Sequence, residues 1–157
     1  MSPQNLQEAA TFLAQADLYL KTVELTAEQA PHAACFYSHQ AAEMALKGLF
    51  VANGLYVTGT HSLSGLIDGL YAHHPELPEL RRAALCLDPF YIGTRYFPRT
   101  DSFSGVAPAE RYSPEIAREA QQDAQTLVRR CAQLYGRMVR EASREGADQA
   151  RPTDPST

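Results

Sequence analysis

Hydrophobic residues recur every three or four positions over most of the chain, which is the period of an amphipathic α-helix. The first such stretch covers about residues 5–23. The second covers about residues 32–53 and follows Pro31, a residue that suits the first turn of a helix. Apolar residues occupy two faces of this second stretch rather than one, so we expect this helix to lie at the centre of the fold.

Two shorter helices are predicted in the middle of the chain. The first follows a cap at Thr60 or Ser62 and ends before Pro75, because proline disfavours helical geometry in the residue that precedes it. The second runs from about Glu76 to Gly93 and is expected to bend at Pro89.

The most regular pattern begins at Ser113-Pro114, a helix cap followed by a first-turn proline, and continues to about residue 143. A helix of about 30 residues is roughly 45 Å long, so we expect its far end to pack on a partner. Residues 144–157 contain prolines and small polar residues and are predicted to form a disordered tail. Residues 1–143 then form one helical domain.

The connection over residues 97–112 has no hydrophobic period, and a connection of this length in a compact domain is either mobile or functional. Composition agrees with the helical pattern, since 24 alanines and 17 leucines stand against nine valines and isoleucines. The sequence therefore predicts an all-α fold, an up-and-down bundle of four to five helices with one long C-terminal helix.

Charge and cysteine content narrow the function. The net charge of -4 disfavours nucleic-acid binding through bulk positive charge, although it is compatible with a local basic patch. The three cysteines are far apart, which indicates neither a disulfide framework nor a zinc site.

No signal-peptide pattern and no long apolar run is present, so we expect a cytoplasmic protein with no membrane association. His39 and Glu43 share a helix face, but two ligands make a weak site, and we predict no metal and no cofactor.

A polar stripe interrupts the second helix, where Gln40, Glu43 and Lys47 are spaced at i, i+3 and i+7. One explanation is a simple ion-paired edge, because Glu43 and Lys47 stand in the favourable i, i+4 order. The alternative is that the stripe meets a second polar cluster, for which His61 and residues 91–101 are the candidates, since an unpaired charge in a core is costly.

Three segments of the chain, in this order and spacing, resemble the HEPN domain (higher eukaryotes and prokaryotes nucleotide-binding). They are YSHQAAEMALKGL over residues 37–49, THSL over residues 60–63 with Leu66, and YIGTRYFP over residues 91–98. The resemblance extends over about residues 5–143. It implies an all-α bundle, commonly a homodimer, that is often encoded beside a minimal nucleotidyltransferase.

HEPN proteins include ribonuclease toxins of toxin-antitoxin pairs and non-catalytic modules proposed to bind nucleotides. The ribonucleases carry an arginine followed four to six residues later by a histidine, a pair that acts by acid–base chemistry. Here all five histidines lie at or before His74 and all 12 arginines lie at or after Arg81. The ribonuclease motif is therefore absent, and we expect a protein that is not an enzyme by itself.

The resemblance and the residue chemistry together suggest a nucleotide or RNA site. Lys47, Arg95 and Arg99 would receive phosphate oxygens, and Tyr91 or Tyr96 would lie against a base. His61 is expected in a capping or supporting position.

Other functions stay open at this point. A ribonuclease with a non-standard site would use His61 as base and Arg95 as charge stabiliser. A purely structural protein would hold a nucleotidyltransferase through its long last helix, and such a partner could modify a tyrosine near Arg95.

Overall fold

A computed structural model describes residues 2–57, 59–96 and 106–149, and every regular element within these residues is helical. The all-α prediction is confirmed. The α-helices are α1 (Pro3–Thr26), α2 (Pro31–Ala52), α3 (Leu63–Leu70), α4 (Arg81–Leu87), α5 (Phe90–Gly93) and α6 (Pro114–Gln149), with 3₁₀ turns at Leu77–Leu80 and Pro108–Arg111. None of these helices combines the length and the hydrophobicity that crossing a lipid bilayer requires.

The α2 helix is the centre of the bundle, as its two apolar faces predict. It packs against α1 on one side and α6 on another, and nearly all of its residues from Ala41 to Ala52 are buried. Gly48 allows α1 to approach closely, because a Cβ at this position would lie 3.1 Å from Cβ of Phe12 and 3.3 Å from the carbonyl oxygen of Ala9. The chain leaves α2 through Gly54, whose φ of 70° favours glycine.

The prediction of a single helix over residues 76–93 is wrong, because the structure divides this segment into the Leu77–Leu80 turn, α4 and α5. The break between α4 and α5 falls at Asp88-Pro89. Proline cannot donate the helical hydrogen bond, and the Asp88 carboxylate turns away to accept from the start of α3. The α3 helix itself begins as expected, with Ser62 Oγ accepting from the Gly65 amide at 3.1 Å.

The α6 helix lays one stripe of small and apolar residues on the core and extends farther than its hydrophobic pattern predicts. Residues 144–149 are helical, whereas the sequence pattern places them in the tail; residues 150–157 lie outside the described part of the chain. Tyr135 ties α6 to α1 by donating its hydroxyl to the Leu6 carbonyl at 2.9 Å. Of the 97–112 connection, only residues 106–112 are described, and they contain the second 3₁₀ turn.

Candidate functional site

The polar stripe of α2 is buried and converges on one carboxylate. Glu43 is only 2% exposed, and its oxygens accept hydrogen bonds from Lys47 Nζ at 2.6 Å and Gln40 Nε2 at 3.2 Å. His61 reaches the same carboxylate from the loop before α3, with Nδ1 at 3.0 Å from Oε1 and 3.2 Å from Oε2. The stripe therefore meets a second polar group, and three donors compensate the burial of the Glu43 charge.

His39 supports this cluster from beneath. Its ring is fully buried, and its Nε2 donates to the carbonyl oxygen of His61 at 2.9 Å. Its Nδ1 accepts from Gln40 Nε2 at 3.2 Å, which requires a neutral ring with the proton on Nε2. Burial lowers the pKa of His39 and so favours the same neutral form, although the Glu43 carboxylate opposes the shift.

An aromatic and cationic stack covers the cluster on its exposed side. The His61 and Tyr91 rings are parallel within 14°, with centroids 3.9 Å apart. The Arg95 guanidinium carbon lies 4.5 Å from the Tyr91 centroid and 5.2 Å from that of Tyr96. Arg95 is held there because its Nε and Nη2 donate to the Tyr91 carbonyl oxygen at 2.9 and 2.6 Å. The structure thus brings four of the predicted ligand-binding residues into one stack: His61, Tyr91, Arg95 and Tyr96.

Beside this stack lies an open cleft of about 440 Å³. The residues that line it come from the start of α3 and from the α4–α5 junction: His61, Ser62, Asp88, Pro89, Tyr91 and Ile92. The Asp88 carboxylate is already engaged, since it accepts from the Leu63 amide at 2.6 Å and from Ser64 Oγ at 2.7 Å. Sequence reasoning missed Asp88, and no local signal could have found it, because its partners lie more than twenty residues earlier in the chain.

The geometry changes the roles that two residues were given. Lys47 is 8% exposed and its ammonium group is held by Glu43, so it is not free to contact a phosphate. Tyr91 has His61 against one ring face and Arg95 near the ring, so it is not free to stack on a base. His61 and Ile92 are exposed and line the cleft. Arg95 and Tyr96 are also exposed and belong to the stack beside the cleft. Arg99 lies outside the described residues.

A larger cavity of about 540 Å³ lies between α4 and α6, and it contains none of the predicted site residues. Arg82 lines it together with two carboxylates, Glu119 and Asp123. Burial raises the pKa of Asp123. Because its acidic groups outnumber its one arginine, this cavity does not favour an anionic ligand. Across the described residues, no group of three or more histidine, cysteine or acidic side chains is arranged to hold a metal ion.

Two buried histidines make the fold sensitive to acid. Burial lowers the pKa of both His39 and His74, and His74 Nε2 accepts from Asn53 Nδ2 at 2.9 Å. A histidine whose pKa is lower in the folded state takes up a proton preferentially in the unfolded state. We therefore expect the free energy of unfolding to be retained above about pH 6.5 and to decrease as the pH falls below it, as urea unfolding at successive pH values will measure.

The matched variants for this measurement are His39→Gln and His73→Gln. The first removes a buried ring, so the slope of unfolding free energy against pH should become smaller below about pH 6.5. The second replaces an exposed ring that lowers the pKa of His74 less than burial does, so it should change the slope much less than His39→Gln does. An equal slope in His39→Gln and the parent would contradict a neutral, buried His39.

Comparison with known proteins gives one consistent family. The HEPN domain model matches residues 9–135. The crystal structure of TT1696 from Thermus thermophilus is 32% identical and superimposes with a TM-score of 0.72, over 80% of this chain and 97% of that one. ST0689, an archaeal HEPN homologue, is 26% identical with a TM-score of 0.65, over 81% and 97% of the two chains.

A HEPN domain protein from Thermotoga maritima, tm0613, is 27% identical with a TM-score of 0.53, over 85% of this chain and 98% of that one. No curated protein matches the chain significantly. The family match runs from α1 through most of α6 and includes Glu43, His61 and Arg95. The chain belongs to the HEPN domain family.

Proposed function

We propose that this protein is a non-catalytic HEPN module that binds a nucleotide in the cleft beside α5. The observation that carries the proposal is that His61, which lines an open cleft, stacks on Tyr91, and that the Arg95 guanidinium lies 4.5 Å from the centroid of the same ring. Two nitrogen-bearing side chains and an adjacent apolar surface are the two halves of a nucleotide site, one for phosphate and one for the base.

Arg95 and His61 supply the phosphate half. Arg95 uses Nε and Nη2 on the Tyr91 carbonyl, so the other edge of its guanidinium is directed to a ligand. His61 is oriented by the Glu43 carboxylate, which accepts from Nδ1, and in its imidazolium form the ring can donate from Nε2 to a phosphate oxygen. Lys47 contributes indirectly, because its ammonium group balances the Glu43 charge that would otherwise repel an anion.

Ile92 and Tyr96 supply the apolar half. Both follow Tyr91 closely in the chain, and their side chains are 61% and 57% exposed. A purine laid on them would cover surface that is otherwise in contact with water.

Isothermal titration with ATP, GTP and oligoadenylate tests the proposal. We expect saturable heat at ligand concentrations up to millimolar, and we expect Arg95→Ala to weaken binding by about 10- to 100-fold, the range for a lost hydrogen bond to a charged group. The control is Lys21→Ala, which removes one exposed positive charge from α1 and should leave the affinity unchanged. No heat at millimolar ligand, or an equal loss in both variants, would refute the cleft as the site.

One observation favours a second candidate, a ribonuclease with a non-standard site. The Glu43–His61 hydrogen bond of 3.0 Å leaves Nε2 as a base, with Arg95 nearby to stabilise charge. The family's arginine-then-histidine motif is absent from the sequence, so non-catalytic binding ranks first. Incubation with total RNA beside His61→Ala separates the two, because equal residual cleavage by both proteins would come from a contaminant.

We also propose that the protein acts as a homodimer and that a minimal nucleotidyltransferase is its partner, as in toxin-antitoxin pairs. Family membership supports both proposals. Light scattering on the titration samples should give twice the chain mass, and the neighbouring reading frame should carry the Gly-Ser signature of such a transferase.

Within the described part of α6, Ile116 is the one large hydrophobic residue that is substantially exposed, so a partner along the rest of this helix would meet polar side chains.

A further inference from the structure

Five arginines line one face of α6. At about 100° per residue they fall within one sector of roughly 100°, whose centre lies roughly 120° around the helix from the centre of the stripe that packs on the core, and they span about 22 Å of helix. They are Arg129, Arg130, Arg137, Arg140 and Arg144. The core stripe over the same turns consists of Cys131, Leu134 and Met138. The arginine face therefore points to solvent.

Only two of the five are neutralised within the fold. Arg130 pairs with Glu79 at 3.1 Å, and Arg137 pairs with Glu76. Among the side chains that the structure describes, Arg129, Arg140 and Arg144 have no acidic partner, and all three are exposed. By helical position Glu141 lies at the edge of this face, so the arginine face carries a modest local excess of positive charge on a chain whose net charge is -4.

We propose that this arginine face binds the phosphate backbone of a nucleic-acid duplex, independently of the cleft. Every basic side chain on α6 is an arginine, whose planar fork matches phosphate oxygens in two-point contacts that lysine does not make. Exposed Thr126 and Gln133 lie on the same face, and such side chains add neutral hydrogen bonds to a backbone.

The composition of the arginine face selects a duplex over other polyanions. Single strands bind to aromatic platforms on which bases stack, and this face presents none, because the Tyr135 hydroxyl is bound to Leu6 on another side of the helix. A protein partner would require a buried apolar or aromatic anchor, and no large hydrophobic residue is strongly exposed over residues 126–147. A straight row of charges without base-reading groups fits sequence-independent contact with phosphates.

Fluorescence anisotropy with a short labelled DNA duplex tests the inference. Three phosphate contacts by Arg129, Arg140 and Arg144, which have no acidic partner among the described side chains, predict that affinity falls by about 40-fold between about 50 and 200 mM salt. The variant Arg129→Gln/Arg140→Gln/Arg144→Gln should lose most of the affinity at the lower salt concentration and show a much flatter salt dependence. The matched control, Lys21→Gln/Arg81→Gln/Arg118→Gln, removes the same charge from other exposed positions and should stay within about 3-fold of the parent.

Duplex RNA, a single strand and polyglutamate distinguish a duplex from other polyanions as the ligand of the arginine face. A duplex RNA that binds like the DNA supports the inference, because the contacts are to phosphate. A single strand that binds the Arg95→Ala variant more tightly than the duplex does, polyglutamate that competes as well as DNA, or an equal loss in the control variant would each overturn it. Arg95→Ala should leave duplex binding intact, so a failure here is distinct from a failure of nucleotide binding in the cleft.

Discussion

Replacing Glu43 with alanine is expected to lower the free energy of unfolding by about 3–5 kcal/mol, the cost typical of removing one partner from a buried ion pair. The variant leaves the Lys47 ammonium buried without its carboxylate, and it removes the acceptor that Gln40 and His61 share. Urea unfolding of the two proteins at pH 7.5 measures the difference directly.

Two companion variants make this result specific. Glu141→Ala removes an exposed carboxylate from α6 and should change stability by less than about 0.5 kcal/mol. Glu43→Leu/Lys47→Met removes both charges at similar volume, and it should recover much of the loss because apolar replacements of a buried ion pair are often neutral or stabilising. A cost below about 1 kcal/mol for Glu43→Ala would mean that the buried network does not hold the fold together.

Replacing Gly48 with valine is expected to cost about 3 kcal/mol, the upper end of the range for overpacking a closely packed interface. The Cβ of any other residue would lie 3.1 Å from the Phe12 Cβ and 3.3 Å from a backbone oxygen of α1. Neither atom is the end of a flexible side chain, so α1 as a whole must move away from α2. Thermal and urea unfolding both report the loss.

Gly136→Val is the matched control for this variant. Gly136 is also a helical glycine, but a Cβ there would meet only Nη1 of Arg140, at 3.4 Å, and this flexible side chain can move. The control should be close to neutral, since valine and glycine differ by only a few tenths of a kcal/mol in helix propensity. Equal destabilisation by the two variants would contradict the assignment of the effect to the contact between α1 and α2.

The sequence predicted those parts of the fold that depend on local chemistry. The two apolar faces of α2 anticipated its central position, and Ser62 and Ser113-Pro114 anticipated the starts of α3 and α6. The region around Pro89 was less predictable: its hydrophobic period continues from Glu76 to Gly93, but the proline and the attraction of Asp88 to the start of α3 divide the helix. The end of α6 was also misplaced, since the helix continues to Gln149, beyond the last residue of its apolar stripe.

For the candidate site, too, the sequence predicted the local arrangement of residues but not their tertiary contacts. Spacing alone showed that Gln40, Glu43 and Lys47 share one face of a helix, because the helical period is a property of the local backbone. Whether that face was a solvated edge or a buried hub depended on what packs over it, and only the tertiary structure brings His61 and Tyr91 there from distant points in the chain. The same packing holds Lys47 on Glu43 and leaves Arg95 exposed, so the sequence by itself predicted most residues of the candidate site, and the tertiary structure decided which of them are buried and which are exposed.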